Sequence, residues 1–178
     1  MREYLTEALV LDKYHSNEND LTVDFYTKEL GRLKAKITSG QKITSKLSPH
    51  LEPLTFSLVR LVEKKGFVVA DVLTENYLPH FRGYPTHFAK ALKLLSALKE
   101  LIYSEHADPK LWFWLKNSLK KREITFGQLL KILGYDPKLA QCHACRSKFI
   151  KHFFVKDQTF FCRQCGFKIP QNTLLLDL

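Results

Sequence analysis

The chain has 178 residues and a mass of 20.8 kDa, room for one compact domain or two small ones. With 45% apolar and 26% charged residues it has the composition of a folded globular protein, which excludes wholesale disorder. No apolar run reaches bilayer length, and Met1-Arg2-Glu3-Tyr4-Leu5 lacks a signal-peptide h-region, so a cytosolic protein is expected.

The net charge of +10 is unevenly distributed. Residues 1–80 hold 11 Lys+Arg and 11 Asp+Glu, whereas residues 81–178 hold 17 and 7. Within the neutral half, residues 31–50 carry Arg32, Lys34, Lys36, Lys42 and Lys46 without a single acid. Concentrated basic charge of this kind suits a polyanionic partner, and equally a solvated surface.

The first eighty residues read as β structure. Leu5 to Tyr14 includes the run Ala8-Leu9-Val10-Leu11, and Leu21, Val23 and Phe25 then alternate with Thr22, Asp24 and Tyr26. After a turn at Lys28-Glu29-Leu30-Gly31, Leu33, Ala35 and Ile37 point one way while Arg32, Lys34 and Lys36 point the other. Residues 40–49 read as a loop. Leu54–Val62 and Phe67–Leu73 are two further strands around a Lys64-Lys65-Gly66 turn. Five short strands in this span predict a small closed barrel, with the OB-fold as leading candidate and an open meander or SH3-like barrel as alternatives.

The period then changes to that of helices. Phe88, Ala91, Leu92, Leu95, Leu98 and Ile102 form one amphipathic face. Asp108-Pro109 supplies an N-cap and a first-turn proline for a second helix carrying Trp112 and Trp114. A third helix starts at Thr125, with Gln128 placed for a capping box, and stops at Gly134. Residues 149–155 and 159–161 read as a pair of strands. The predicted architecture is α+β: a five-stranded barrel over 1–79, a small helical domain over 80–141, and a four-cysteine ribbon with a C-terminal tail over 142–178.

All four cysteines lie in one pattern, Cys142-x2-Cys145-x16-Cys162-x2-Cys165. Two short turns bearing paired thiolates supply the soft, tetrahedral ligand set of one structural Zn2+ ion. Disulfides are the competing reading, but they suit secreted domains. His143 and His152 are alternative ligands that a complete thiolate set does not need. A closed site of this kind leaves no coordination position for substrate, and the chain has no Walker A loop, G-x-S-x-G or H-E-x-x-H, so no enzyme is expected.

The stripe Arg32, Lys34, Lys36, Lys42 and Lys46 is a candidate phosphate track. Tyr26 has the parity to share its face and act as a stacking platform for a base. Lys121 and Arg122, with Lys116 and Lys120, form a second basic cluster, and Lys148 and Lys151 a third between the cysteine pairs.

The chain resembles the bacterial recombination mediator family RecO. The residues that carry the resemblance are Ala8-Leu9-Val10-Leu11, Glu18 before Leu21, Phe25-Tyr26-Thr27-Lys28-Glu29-Leu30-Gly31, Gly40, Ser45-Lys46-Leu47, Leu51-Glu52-Pro53, and Leu133-Gly134-Tyr135-Asp136-Pro137 ahead of Cys142. The resemblance implies an N-terminal OB-fold, a helical domain with an inserted zinc ribbon, and binding of single- and double-stranded DNA. It further implies strand annealing, cooperation with RecR and single-stranded-DNA-binding protein, and loading of RecA. Two features depart from the family pattern. RecO proteins continue for several helices after the last cysteine pair, whereas this chain reads as a short variant ending thirteen residues past Cys165, and Gln158-Thr159-Phe160-Phe161 stands where the family tends to have glycines. The alternative reading is an adaptor that docks repair or replication proteins through its acidic first thirty residues and its ribbon.

Overall fold

A computed structural model describes residues 1–15, 20–38, 47–77, 83–103, 106–170 and 172–178. Five strands open the chain: β1 (Arg2–His15), β2 (Leu21–Thr27), β3 (Gly31–Ile37), β4 (Thr55–Glu63) and β5 (Phe67–Tyr77). They hydrogen-bond in the order β1-β2-β3-β5-β4, and β4 returns to β1, so the sheet closes on itself. Closure gives every strand a neighbour on both sides for at least part of its length. The closing seam between β3 and β5 is the parallel one and is short, pairing Ala35 with Phe67 and Lys36 with Val68.

Alternation assigns each strand residue to one of two cores. Ala8, Val10, Phe25, Leu33, Ala35 and Ile37 fill the barrel interior. Leu9, Leu11, Tyr26 and Phe56 point outward, under the helices. The unbroken apolar run of Ala8 to Leu11 follows from this: that stretch of β1 is buried on both faces. At the β2–β3 turn Gly31 adopts φ +71°, and the Thr27 hydroxyl accepts from Leu30 N–H and donates to Gly31 O.

The helices are α1 (Pro85–Leu101), α2 (Pro109–Lys121) and α3 (Phe126–Ile132). Asp108 caps α2 as expected, accepting from Lys110 N–H and Leu111 N–H. Thr125 begins α3, but the expected capping box does not form. Gln128 instead accepts from the indole of Trp114 at 3.1 Å, a partner contributed by the neighbouring helix. Gly134 ends that helix with φ +92°, while Tyr135 N–H closes back onto Leu130 O.

The cysteine segment folds as β6 (Ile150–Phe154), β7 (Thr159–Cys162), a single turn α4 (Arg163–Gly166) and β8 (Leu175–Asp177). The sheet order is β7-β6-β8, so the predicted tail is in part a third strand. One core cluster joins Leu9 and Tyr26 of the barrel, Leu98, Trp112 and Leu129 of the helices, and Phe153 and Leu176 of the ribbon. The protein is thus α+β, with its ribbon packed into the common core. Among the described residues no helix is long and apolar enough to cross a membrane.

Candidate nucleic-acid interface and metal centre

The outward face of the β2–β3 hairpin is defined by its register: Tyr26 opposite Arg32, Asp24 opposite Lys34, and Thr22 opposite Lys36. The parity read from the sequence is therefore correct. What it does not reveal is that the helical layer covers one end of this face. Tyr26 is 1% exposed, with its ring centroid 6.3 Å from that of Trp112. Its hydroxyl lies 3.4 Å from Asp108 O and accepts from Asp108 N–H at 3.3 Å, and burial raises its pKa. The expectation of a base-stacking platform at Tyr26 is thus corrected: the ring belongs to the core and no base can reach it.

Arg32 is corrected for the same reason. Its guanidinium grips Asp24 at 3.1 and 2.7 Å and donates to Ile102 O at 2.7 Å and to Lys99 O, tying β3 to the C-terminal end of α1. The hydrogen bond to Asp24 raises its pKa still further. This cation is spent within the protein. Asp24 also interrupts the acid-free stripe that the strand alone suggested, because it arrives from the neighbouring strand.

Beyond Arg32 the face opens. Lys34 and Lys36 are exposed, and the Lys34 ammonium lies 5.7 Å from the ring centroid of Tyr14, which is itself exposed. The parallel β3–β5 seam also brings the β4–β5 turn alongside, so Lys64 and Lys65 join Lys34, Lys36 and Thr22 around a cleft of about 320 Å³. Sequence reasoning missed Tyr14, Lys64 and Lys65. Tyr14 has the parity of inward Ala8 and Val10 and is turned outward, opposite Thr22, only by the irregularity in β1 between Val10 and Asp12, which strand alternation does not show; the two lysines are some thirty residues away and are placed only by closure of the ring. Lys42 and Lys46 lie outside the described residues.

The helical cluster divides. Lys120 and Lys121 are exposed at the end of α2. Arg122 is half-buried in the left-handed region (φ 61°) and stacks over the Tyr84 ring at 4.7 Å. Lys116 pairs with Glu7, and its hydrogen bond holds that carboxyl below its ordinary pKa with help from Lys28. On the ribbon Lys148 and Lys151 are both exposed.

The four cysteine sulfurs lie within 4.8 Å of one another. All four are free thiols, and Cys145 and Cys162 approach to 3.6 Å, well beyond a disulfide bond. Burial pushes the Cys142 thiol up, but hydrogen bonds with the backbone of Cys162, Cys145 and Ala144 outweigh it and bring its pKa down to about 6. Hydrogen bonds with the Cys162 and Cys145 thiols push Cys165 up to about 12. Four sulfurs this close cannot all ionise without a cation among them, and together they fit a metal ion. His143 lies outside the group with its ring near Phe161, and His152 faces Asp177 at 3.0 Å.

Residues 1–72 match the family model described as Recombination protein O N terminal. A DNA repair protein RecO from Thermodesulfovibrio yellowstonii is 29% identical over 92% of this chain and 70% of its own length. Proteins of the same name from Dehalococcoides mccartyi and Caldanaerobacter subterraneus are 26% and 24% identical, over 97% and 93% of this chain and 76% and 69% of their own lengths.

Proposed function

We propose that this chain is a RecO-type, non-catalytic recombination mediator in DNA repair, on the premise of the family-model match over residues 1–72 and the similarity to DNA repair proteins RecO over most of its length. The observation that carries the DNA-binding part is the open end of the barrel: four exposed lysines, 34, 36, 64 and 65, gathered beside Tyr14 with no ion pair among the described residues. Cations to neutralise phosphates and an exposed ring to stack a base are what a single strand requires. The strand order, closed through a parallel β3–β5 seam, supports an OB-fold assignment for the barrel.

In this reading the cleft takes the backbone of single-stranded DNA, and the wider lysine surface lets duplex bind through phosphates alone. Holding two complementary strands on one cationic surface screens their mutual repulsion and so promotes annealing. RecR and single-stranded-DNA-binding protein are the proposed partners, and RecA loading the outcome, in the cytosol at the nucleoid. One Zn2+ ion held by Cys142, Cys145, Cys162 and Cys165 would fix the ribbon; four thiolates leave no position for a water or substrate, so the ion's role is structural.

The test is annealing of complementary strands coated with single-stranded-DNA-binding protein, with and without this chain. Acceleration is expected. The Lys34→Glu/Lys36→Glu variant should bind more weakly, and loss of two phosphate contacts should flatten the log–log salt dependence by about 1.4 on a single strand. A double variant that binds and anneals like wild type would sink the assignment of this face.

A further inference from the structure

The ribbon presents a second surface with the same two ingredients, in a different arrangement. From Cys142 to Pro170 the sequence holds six cations, Arg146, Lys148, Lys151, Lys156, Arg163 and Lys168, against one acid, Asp157. All six are exposed and none takes part in an ion pair among the described residues. In this they match the open end of the barrel and differ from Lys13, Lys93, Lys99 and Lys116, each of which holds a carboxylate.

Two phenyl rings stand among these cations. Phe149 is 87% exposed and Phe167 76%, whereas Phe153 of the same ribbon is fully buried against Phe160. A single exposed apolar side chain needs no explanation. Their placement does. The Arg163 guanidinium lies 6.0 Å from the Phe167 ring centroid. The β6–β7 ladder ends with Ile150 opposite Cys162, and Phe149 and Arg163 are the residues on which the two chains leave it at that same end. Both phenylalanines therefore sit at the cysteine end of the ribbon, Phe167 against Arg163 and Phe149 beside the last β6–β7 pair. Their backbones are already ordered, Phe149 N–H donating to Ser147 Oγ and Phe167 N–H to Arg163 O. Little conformational freedom is lost when a ligand arrives.

We propose that Phe149 and Phe167 form a stacking platform for unpaired bases, with Arg146, Lys148 and Arg163 on the intervening phosphates. The ligand class is single-stranded DNA, and the proposal rests on the DNA-binding reading above. Charge selects this occupant: six unpartnered cations complement a polyanion. Ring access selects the single strand, because bases in a duplex have their faces already stacked, and a phenyl ring competes only for an unpaired one. The ribbon thereby supplies the base contact that buried Tyr26 does not.

The experiment compares three labelled probes of equal length: a dT oligonucleotide, its abasic counterpart and a duplex. Wild type should bind dT more tightly than the abasic strand. Phe149→Ala/Phe167→Ala should lose about fivefold or more per ring for dT, the low end for removing a stacking aromatic. It should bind the abasic strand and the duplex as wild type does. Phe149→Trp/Phe167→Trp should keep the preference, and metal content with melting temperature verifies that each variant is folded. Equal wild-type affinity for dT and abasic strands refutes the platform without any variant. So does an alanine variant that leaves dT binding intact or loses dT and duplex alike. Wild type binding none of the three probes would instead remove the DNA reading itself.

Discussion

Replacing Arg32 with alanine separates a structural cation from a DNA-facing one. The Arg32 and Asp24 side chains are 17% and 3% exposed, so the pair is largely out of water. Removing the guanidinium leaves the Asp24 carboxylate buried without a counter-ion and takes a donor from the carbonyls of Lys99 and Ile102 at the end of α1. Breaking a buried pair by deleting one partner costs about 3–5 kcal/mol, and the residual exposure of Arg32 favours the lower end. At about 2–4 °C per kcal/mol for a chain of this size, a cost near ~3 kcal/mol lowers the melting temperature by about 6–12 °C. Circular dichroism melts of Arg32→Ala beside Lys34→Ala measure it, with DNA affinity taken where both are folded. Lys34→Ala, at an exposed position, should stay within about 0.5 kcal/mol of wild type in stability and lose affinity instead. If Arg32→Ala melts like wild type yet loses DNA binding as strongly as Lys34→Ala, its guanidinium is free to reach DNA and the buried-clamp account is wrong.

Two further outcomes concern the ribbon. Stripping the metal with a chelator, or Cys142→Ser, should release the 142–170 segment, since such sites contribute about 10–16 kcal/mol of apparent binding energy in small metallodomains. Hydrogen exchange should show β6 and β7 losing protection while β1–β5 keep theirs; an unchanged ribbon would show that the thiols need no ion. Gly166 has a separate constraint, because a Cβ there would lie 2.3 Å from Cδ2 of His152, whose ring is held by Asp177. Gly166→Ala should cost about 1–3 kcal/mol by overpacking and release metal at lower chelator concentration. His152→Ala in that background should restore retention, and failure to do so would place the strain elsewhere.

Features of this protein that depend on near neighbours in the chain were legible from the sequence. Alternation located β2 and β3, apolar runs bounded by turns located β1, β4 and β5, Asp108-Pro109 the start of α2, and two C-x2-C turns the thiol cluster, because each is a local rule acting over a few residues. The strand formed by Leu175–Asp177 was not legible: three residues carry no period, and they pair with β6 only once the ribbon exists. The charged face shows the same division. Parity correctly placed Tyr26, Arg32, Lys34 and Lys36 on one side of the hairpin, yet it could not say where α1 and α2 would lie across it. That docking turned Tyr26 into core and Arg32 into a clamp on Asp24, and left Lys34 and Lys36 in water. Ring closure then added Lys64 and Lys65 from a turn distant in sequence. A side chain's direction is set by its own strand, whereas its exposure is set by whichever distant segment buries its apolar face there, and only the tertiary structure decides that.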